Sequence, residues 1–158
     1  MAQWTDVTEM YTLAGTTQAS YLGTGLSVAD YNRDGLDDIT VANSDGTVVA
    51  YRQLASGGYA EEYLIDGVAQ GQGLVWFDVD GDDDLDLMLT RRFSAMQLFI
   101  NQDGELLESA ELRGLPMDDT WEARGIAVAD YDEDGDLDAY VCMYHDGTTG
   151  LSENLLLN

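Results

Sequence analysis

Apolar residues occur along this chain in short alternating or continuous blocks, each bounded by Gly, Asp or Asn. The first set of blocks is "GLSVAD", "DDITVAN", "TVVAYRQ" and "EEYLID", and this pattern is typical of half-buried strands. No window has apolar residues at helical spacing over about 11 residues or more. The pattern therefore predicts an all-β chain built from units of four short strands.

The unit recurs three times, in segments that begin at Gly25, Gly73 and Gly125. Repeats of roughly 40–50 residues with four strands each are typical of β-propeller blades. We therefore expect one propeller-type domain or segment over residues 1–158. Its predicted parts are an orphan fourth strand at 1–12, blade 1 at 21–66, blade 2 at 71–113 and blade 3 at 121–158.

The predicted third blade lacks its fourth strand. Its last segment, "SENLLLN", matches the third strand "AMQLFIN" of blade 2, whereas "QWTDVTEM" near the start resembles the fourth strand "GELLESAEL". Three blades are fewer than the four to eight that usually close a propeller, and an open strand edge favours pairing. We expect head-to-tail strand exchange between copies, giving a ring or a filament, with six blades when two copies close. The alternatives are further blades of a longer chain, or a strand that completes its own third blade.

Charge narrows the choice of partners. The chain has 31 acidic residues, six basic residues that are all Arg, and a formal net charge of −25. Such a surface repels nucleic acid and anionic membranes, so we expect neither as a partner. Cations, neutral glycans and basic proteins fit better, and adaptation to high salt is an alternative reason for the composition.

Catalysis and membrane insertion have little support in the sequence. No apolar run reaches the roughly 18 residues of a membrane span, and "MAQWTDVTEM" does not resemble a secretory signal. His145 is the only histidine, no G-x-S-x-G turn occurs, and the single cysteine, Cys142, is expected to be a buried strand residue. We therefore expect a protein that is not an enzyme.

Each repeat places an acidic loop between its first and second strands: "DYNRDGLDD", "DVDGDDDLD" and "DYDEDGDLD". Oxygen-bearing side chains fall at positions 1, 3, 5 and 9, and Ca²⁺ binds six to eight such oxygens at about 2.3–2.6 Å. We predict up to three Ca²⁺ sites, with the backbone carbonyl of position 7 as a further ligand. The ligands are Asp30, Asn32, Asp34, Leu36 and Asp38; Asp78, Asp80, Asp82, Asp84 and Asp86; and Asp130, Asp132, Asp134, Asp136 and Asp138.

Two other interpretations of these loops are weaker. An EF-hand requires a bidentate Glu at position 12, where this chain has Val41, Leu89 and Val141. Asp/Gly-rich turns are usually only solvated, as we expect for "NQDG" at 101–104, but three acidic loops in the same register favour calcium. Magnesium fits less well because it prefers octahedral geometry at about 2.0–2.1 Å.

The segment "GIAVADYDEDGDLDAYV" resembles the VCBS and FG-GAP repeats of integrin alpha-subunit propellers and of many bacterial secreted proteins. The resemblance implies calcium in the first hairpin of each blade and partner binding on the opposite face. We expect a calcium-stabilised module for protein interaction, adhesion or self-assembly, extracellular or secreted because such open calcium sites suit millimolar calcium. Position 6, usually Gly, is Asp83 in the middle loop, so we expect distortion there and the best binding in the third loop.

The face opposite the acidic loops is predicted to carry aromatic and arginine side chains. Such side chains are favoured contact residues, and aromatic faces also suit sugar rings. A carbohydrate-binding, lectin-like propeller is therefore the alternative function, and a wedge between blades is the alternative role for the aromatic residues. The residues in question are Tyr21, Arg91, Arg92, Trp121, Arg124 and His145.

Overall fold

The computed structural model describes residues 25–43, 45–67, 71–117, 122–144 and 154–157. These residues form eleven strands in three antiparallel sheets and contain no helix. The all-β prediction is confirmed, and the sheets are consistent with propeller blades in an arrangement that is not closed. The predicted strand at 1–12 lies outside the described residues.

The three sheets correspond to the three predicted blades, and their strands are paired in sequence order. Blade 1 contains β1 (Leu26–Ala29), β2 (Asp38–Ala42), β3 (Val48–Gln53) and β4 (Tyr59–Ile65). Blade 2 contains β5 (Gly71–Phe77), β6 (Asp86–Arg91), β7 (Gln97–Gln102) and β8 (Glu105–Glu108). Blade 3 contains β9 (Glu122–Ala129), β10 (Asp138–Tyr144) and β11 (Leu155–Leu157).

The strands β11 and β8 can be compared with the segments that were matched in the sequence at the chain ends. β11 pairs with β10 as a third strand, with Leu156 opposite Tyr140, in agreement with the match between "SENLLLN" and "AMQLFIN". β8 ends at Glu108, earlier than the segment "GELLESAEL" implies. The chain turns there because the N–H of Arg113 donates to the carbonyl of Ser109 at 3.0 Å.

Blades 1 and 2 pack face to face through a buried apolar cluster. Blade 1 contributes Ala42 and Val48, and blade 2 contributes Leu74, Leu87 and Phe99. Burying aliphatic and aromatic side chains of this size stabilises a fold by about 1.5–3 kcal/mol each. This cluster therefore holds the first two acidic loops at the same end of adjacent sheets.

Blade 2 uses its other face to pack against blade 3. Met88, Leu98 and Ile100 form a second cluster with Ala139 and Val141. Successive residues of β6 thus point alternately to blade 1 and blade 3, as strand geometry requires, and its first five residues are all buried because both faces are covered. The middle blade forms the core of the described structure.

The expectation that Cys142 is buried is wrong. Cys142 does lie in a strand, β10, but its side chain is exposed. Ala139 and Val141 face blade 2, whereas Tyr140 and Cys142 point to the other side of the sheet. No blade covers that side in the described part of the chain, so alternation alone leaves the thiol in solvent.

In the described ranges, no helix has the length and apolar character needed to cross a membrane.

Candidate metal centres

The acidic loops span residues 30–38, 78–86 and 130–138, each between the first and second strands of a blade. Antiparallel pairing closes every loop at its base. Ala29 pairs with Asp38 in blade 1, and Phe77 pairs with Asp86 in blade 2. Positions 1 and 9 are thereby brought together although seven residues separate them.

The position-1 carboxylate organises the backbone of the outer loops. In the first loop, Asp30 accepts hydrogen bonds from the N–H of Asp34 at 2.9 Å and of Gly35 at 2.8 Å. Asp130 accepts the corresponding bonds in the third loop at 3.1 and 3.2 Å. A carboxylate that receives two backbone donors is fixed in orientation, so the curled loop is built around this side chain.

The middle loop keeps the same curl with a different placement of glycine. Asp78 accepts hydrogen bonds from the N–H of Gly81 at 2.7 Å and of Asp83 at 3.0 Å. Asp83 adopts a φ of 72°, in the same left-handed region as the glycines at position 6 of the outer loops. Asp enters this region more readily than most residues, and the loop is therefore curled as in the other two repeats.

A second left-handed position was missed in the sequence. Position 4 also has positive φ in every loop: 60° at Arg33, 75° at Gly81 and 62° at Glu133. Each loop thus has one glycine for two left-handed positions. The outer loops have it at position 6, and the middle loop has it at position 4. The sequence signal was the displaced glycine itself, which is at position 4 of "DVDGDDDLD" and at position 6 of both other loops.

The position-9 aspartates are buried and link the loop to the rest of the sheet. Asp86 accepts hydrogen bonds from the N–H of Asn101 and of Val79, both at 2.8 Å. Burial, as the largest cause, raises the pKa of the Asp86 carboxyl and of the Asp38 carboxyl. Asp38 accepts one bond from Gln53 at 2.7 Å, and its second oxygen, Oδ2, is buried without a hydrogen-bond partner.

Carboxylates from positions 1, 3 and 9 converge in the second and third loops. In each of these loops, one oxygen from each of the three aspartates lies within 4.8 Å of the others. Two oxygens bound to one Ca²⁺ at about 2.3–2.6 Å lie at most about 5 Å apart, so this spacing fits a shared cation. The groups are Asp78, Asp80 and Asp86, and Asp130, Asp132 and Asp138.

Positions 5 and 7 are joined to each other by a hydrogen bond in every loop. One oxygen of each position-5 carboxylate accepts the N–H of position 7, and the ligand role of both positions stays a prediction. The distances are 3.0 Å at Asp34, 2.9 Å at Asp82 and 3.0 Å at Asp134. Asn32, at position 3 of the first loop, accepts the N–H of Asp34 at 3.0 Å. The first loop therefore offers one carboxylate fewer than the others.

Two arginines neutralise part of the loop charge, and sequence reasoning missed both contacts. Arg113 contacts Asp80, a predicted ligand, at 2.7 Å. Arg33 of the first loop contacts Asp84 of the middle loop at 2.9 Å. The middle loop thus has two guanidinium groups against its carboxylates, and Arg33 connects it to blade 1.

A cleft of about 700 Å³ opens between blades 1 and 2 beside the first loop. Its floor includes Tyr31, stacked on Trp76 with ring centroids 5.0 Å apart. The indole N–H of Trp76 donates to the Thr40 hydroxyl at 2.9 Å, and the Tyr31 hydroxyl donates to Glu62 at 2.9 Å. Burial raises the pKa of the Tyr31 phenol. These contacts fix the first loop against blade 2.

The strand ends opposite the loops bring together part of the predicted binding face. Arg92 and Arg124 both form ion pairs with the buried carboxylate of Glu122. The Arg124 guanidinium also lies 4.7 Å from the ring of the exposed Tyr144, and the Arg92 guanidinium lies 4.8 Å from the ring of Phe93.

Of the other residues predicted on the binding face, Arg91 is the only one within the described ranges. The Nε of Arg91 donates to the Ala95 carbonyl at 2.6 Å, and burial lowers the pKa of Arg91. Tyr21, Trp121 and His145 lie outside the described residues. Sequence reasoning did not identify Glu122, because an isolated Glu at the start of a strand has no distinguishing pattern.

Comparison with known proteins assigns the chain to a family. No curated protein matches the sequence. A model described as "FG-GAP-like repeat" matches twice, over residues 30–89 and 85–141. Together the matches span most of the chain and contain all three acidic loops, which confirms the resemblance found in the sequence. The chain belongs to the FG-GAP-like repeat family.

Proposed function

We propose that this protein is a calcium-binding, propeller-type interaction module in which Ca²⁺ stabilises the first hairpin of each blade. The observation that carries the proposal is the convergence of position-1, position-3 and position-9 carboxylates to within 4.8 Å in two loops. Carboxylates at that separation repel one another, and a divalent cation between them converts the repulsion into attraction.

The chemistry of the donor groups favours Ca²⁺ over other metals. All predicted ligands are oxygens, and Zn²⁺ and Cu²⁺ sites usually include His or Cys. Carboxylates held by backbone N–H groups in a curled nine-residue loop suit the larger, less directional Ca²⁺ better than Mg²⁺. The buried, unpartnered Oδ2 of Asp38 supports a cation at the first loop as well.

Calcium in these loops would act on the fold rather than on a substrate. Position 9 connects each site to the sheet, since Asp86 and Asp38 also hold the ends of β7 and β3 through Asn101 and Gln53. A cation at the loop therefore stabilises the pairing of three strands in its blade. We expect the protein to be extracellular, where millimolar calcium fills sites of modest affinity.

We place partner binding at the opposite strand ends, which we call the arginine end: Arg91, Arg92, Phe93, Arg124 and Tyr144. Half of the six arginines of a chain with net charge −25 are in this group. Arg and aromatic side chains are enriched in the central contacts of protein interfaces. The arginine end thus suits adhesion to, or recognition of, a protein with exposed carboxylates.

Thermal unfolding with and without calcium tests the proposal. If each site has a dissociation constant of about 10⁻⁴ M, calcium at about 100 times that value stabilises the fold by about 2.7 kcal/mol per site. We expect the unfolding midpoint to rise strongly with calcium and less with magnesium at equal ionic strength. Midpoints that coincide in calcium and in chelator would refute a structural calcium.

A further inference from the structure

One buried carboxylate lies between two guanidinium groups at the arginine end. Glu122 is 3% exposed. Its Oε1 accepts a hydrogen bond from the Nε of Arg92, and its Oε2 accepts one from a terminal nitrogen of Arg124 at 3.1 Å. A buried charge has to be paired, and here each oxygen of Glu122 fixes one arginine. We call Arg92, Glu122 and Arg124 the Arg-Glu-Arg cluster.

The backbone of two blades holds this cluster in place. Arg92, directly after β6 in blade 2, forms an isolated antiparallel bridge with Glu122 of blade 3. The hydroxyl of Thr90 donates to the carbonyl of Arg124 at 2.8 Å, and Glu122 pairs with Tyr144 across the sheet of blade 3. The three side chains therefore start from backbone positions that are fixed relative to one another, which lowers the cost of ordering them for a ligand.

An aromatic ring covers one side of each guanidinium group. The Arg92 group lies 4.8 Å from the centre of the Phe93 ring, and the Arg124 group lies 4.7 Å from the centre of the Tyr144 ring. The two arginine side chains are still 37% and 31% exposed. Within the described residues, the hydrogen bonds of the Arg92 side chain use only its Nε. Its two terminal nitrogens can therefore donate together to both oxygens of a carboxylate from solution.

Two features beside the cluster cost free energy. Phe93 has a φ of 51°, in the left-handed region that bulky residues rarely adopt, and it is 58% exposed, so burial recovers little of that cost. The Nε of Arg124 is buried without a hydrogen-bond partner in the described part of the chain. Strained backbone and unpaired polar atoms are concentrated at functional sites. Neither feature stabilises the fold, and both therefore point to a ligand.

The cluster has one positive charge more than it neutralises. Two arginines share Glu122, whereas each other described ion pair matches one arginine with one acid. The acidic loops are at the other end of the strands, about 20 Å away over the seven residues of β10. This is more than twice the screening length of about 8 Å at physiological ionic strength, so the loop charges do not prevent an anion from binding here. The one-to-one pairs are Arg33 with Asp84, Arg52 with Glu62 and Arg113 with Asp80.

We propose that Arg92 and Arg124 bind one carboxylate of an acidic side chain on the protein partner, and that Glu122 is the positioning residue that holds both guanidinium groups for it. The proposal rests on the partner surface proposed above and names the group that this surface binds. A single carboxylate matches the excess charge of one, whereas a phosphate group carries about two negative charges at neutral pH. The exposed rings of Phe93 and Tyr144 suit an aromatic or apolar residue next to the acid.

NMR of the arginine side chains tests the proposal, because the chain has six arginines and therefore few Nε–H signals. The probe is the peptide acetyl-Gly-Glu-Phe-Gly-amide, and the corresponding Gln peptide is the uncharged control, both at constant calcium and ionic strength. We expect the Glu peptide to shift the Arg92 and Arg124 signals saturably. The Gln peptide should bind roughly tenfold more weakly, as the loss of a charged hydrogen-bond partner implies. Equal binding of the two peptides, or no shift at these arginines, would overturn the proposal.

A matched pair of variants locates the site. Arg92→Gln removes the open pair of terminal nitrogens and should abolish saturable binding of the Glu peptide. Arg52→Gln removes an arginine of similar exposure that also lies beside a glutamate, Glu62, at 3.7 Å. This variant should bind the peptide like the native chain. Equal losses in the two variants would mean attraction by overall charge and would contradict the site.

Glu122→Gln separates positioning from charge. The variant makes the cluster more positive, so attraction by charge alone predicts tighter binding of the Glu peptide. Positioning predicts binding that is roughly tenfold weaker, because the guanidinium groups are no longer held in one geometry. Loss of a buried ion pair also destabilises the fold, and binding is therefore compared well below the melting midpoints of both proteins. Tighter or unchanged binding would overturn the role of Glu122.

Glucuronate tests the source of the carboxylate, because it carries the same group on a sugar ring. We expect it to bind more weakly than the Glu peptide, since only the peptide places a Phe ring beside Phe93 and Tyr144. Tighter binding of glucuronate would assign the surface to an acidic glycan and overturn the protein partner. If neither probe binds while calcium still raises the melting midpoint, the carboxylate site is refuted and the calcium proposal is not.

Discussion

Replacing Asp86 separates the structural role of an acidic loop from its metal-binding role. Asp86 is fully buried, and its two oxygens accept the N–H groups of Asn101 and Val79, each at 2.8 Å. Asp86→Ala leaves both donors without a partner. A hydrogen bond to a charged group contributes about 1.5–3 kcal/mol, so the variant should lose about 3–6 kcal/mol of the free energy of unfolding even in chelator.

Asp80→Ala is the matched control in the same loop. Asp80 is exposed, and the only contact described for its side chain is the ion pair with Arg113, which contributes about 0–1 kcal/mol. For a chain of 158 residues, 1 kcal/mol shifts the melting midpoint by about 2–4 °C. In chelator, calorimetry should therefore show a fall of about 6–24 °C for Asp86→Ala and only a few degrees for Asp80→Ala. Equal shifts in chelator would refute the distinct role of position 9.

Two further predictions concern contacts that connect the loops to the blades. Trp76→Phe removes the hydrogen bond to Thr40 but retains an aromatic ring against Tyr31, so chemical denaturation should show that the free energy of unfolding falls by about 1 kcal/mol. Trp76→Ala should lower it by about 3–5 kcal/mol. Equal losses in the two variants would contradict the packing role of Trp76. Arg113→Gln removes a guanidinium that competes with a cation for Asp80, so calorimetric titration should show tighter calcium binding at one site; weaker binding would mean that Arg113 orients the ligand instead.

Much of the fold follows directly from the sequence. Glycine-initiated repeats, strand-length apolar blocks and acidic loops in register were sufficient to predict three sheets, their sequential pairing and the position of each loop. Local patterns carried this information because propeller strands pair mainly with their neighbours in the chain. Leu36 and Asp136, for example, were placed in their loops by counting alone.

The contacts between repeats were not predictable in the same way. Arg113 reaches Asp80 and Arg33 reaches Asp84 across 33 and 51 residues, and no periodicity marks such pairs. Cys142 was expected to be a buried strand residue, and it lies in a strand but is exposed. Its exposure depends on whether a further sheet covers blade 3, which alternation within a strand does not determine.

Direct titration of the chelator-treated protein with Ca²⁺ tests the central claim most directly. We predict saturable binding with up to three ions per chain, and the loss of one site in Asp132→Ala, whose carboxylate belongs to the cluster in the third loop. Asp136→Ala removes one carboxylate from the same loop. The predicted ligand at this position is the backbone carbonyl, which the variant keeps, so it should retain every site. Absence of saturable binding, or an equal loss in both variants, would contradict the calcium assignment.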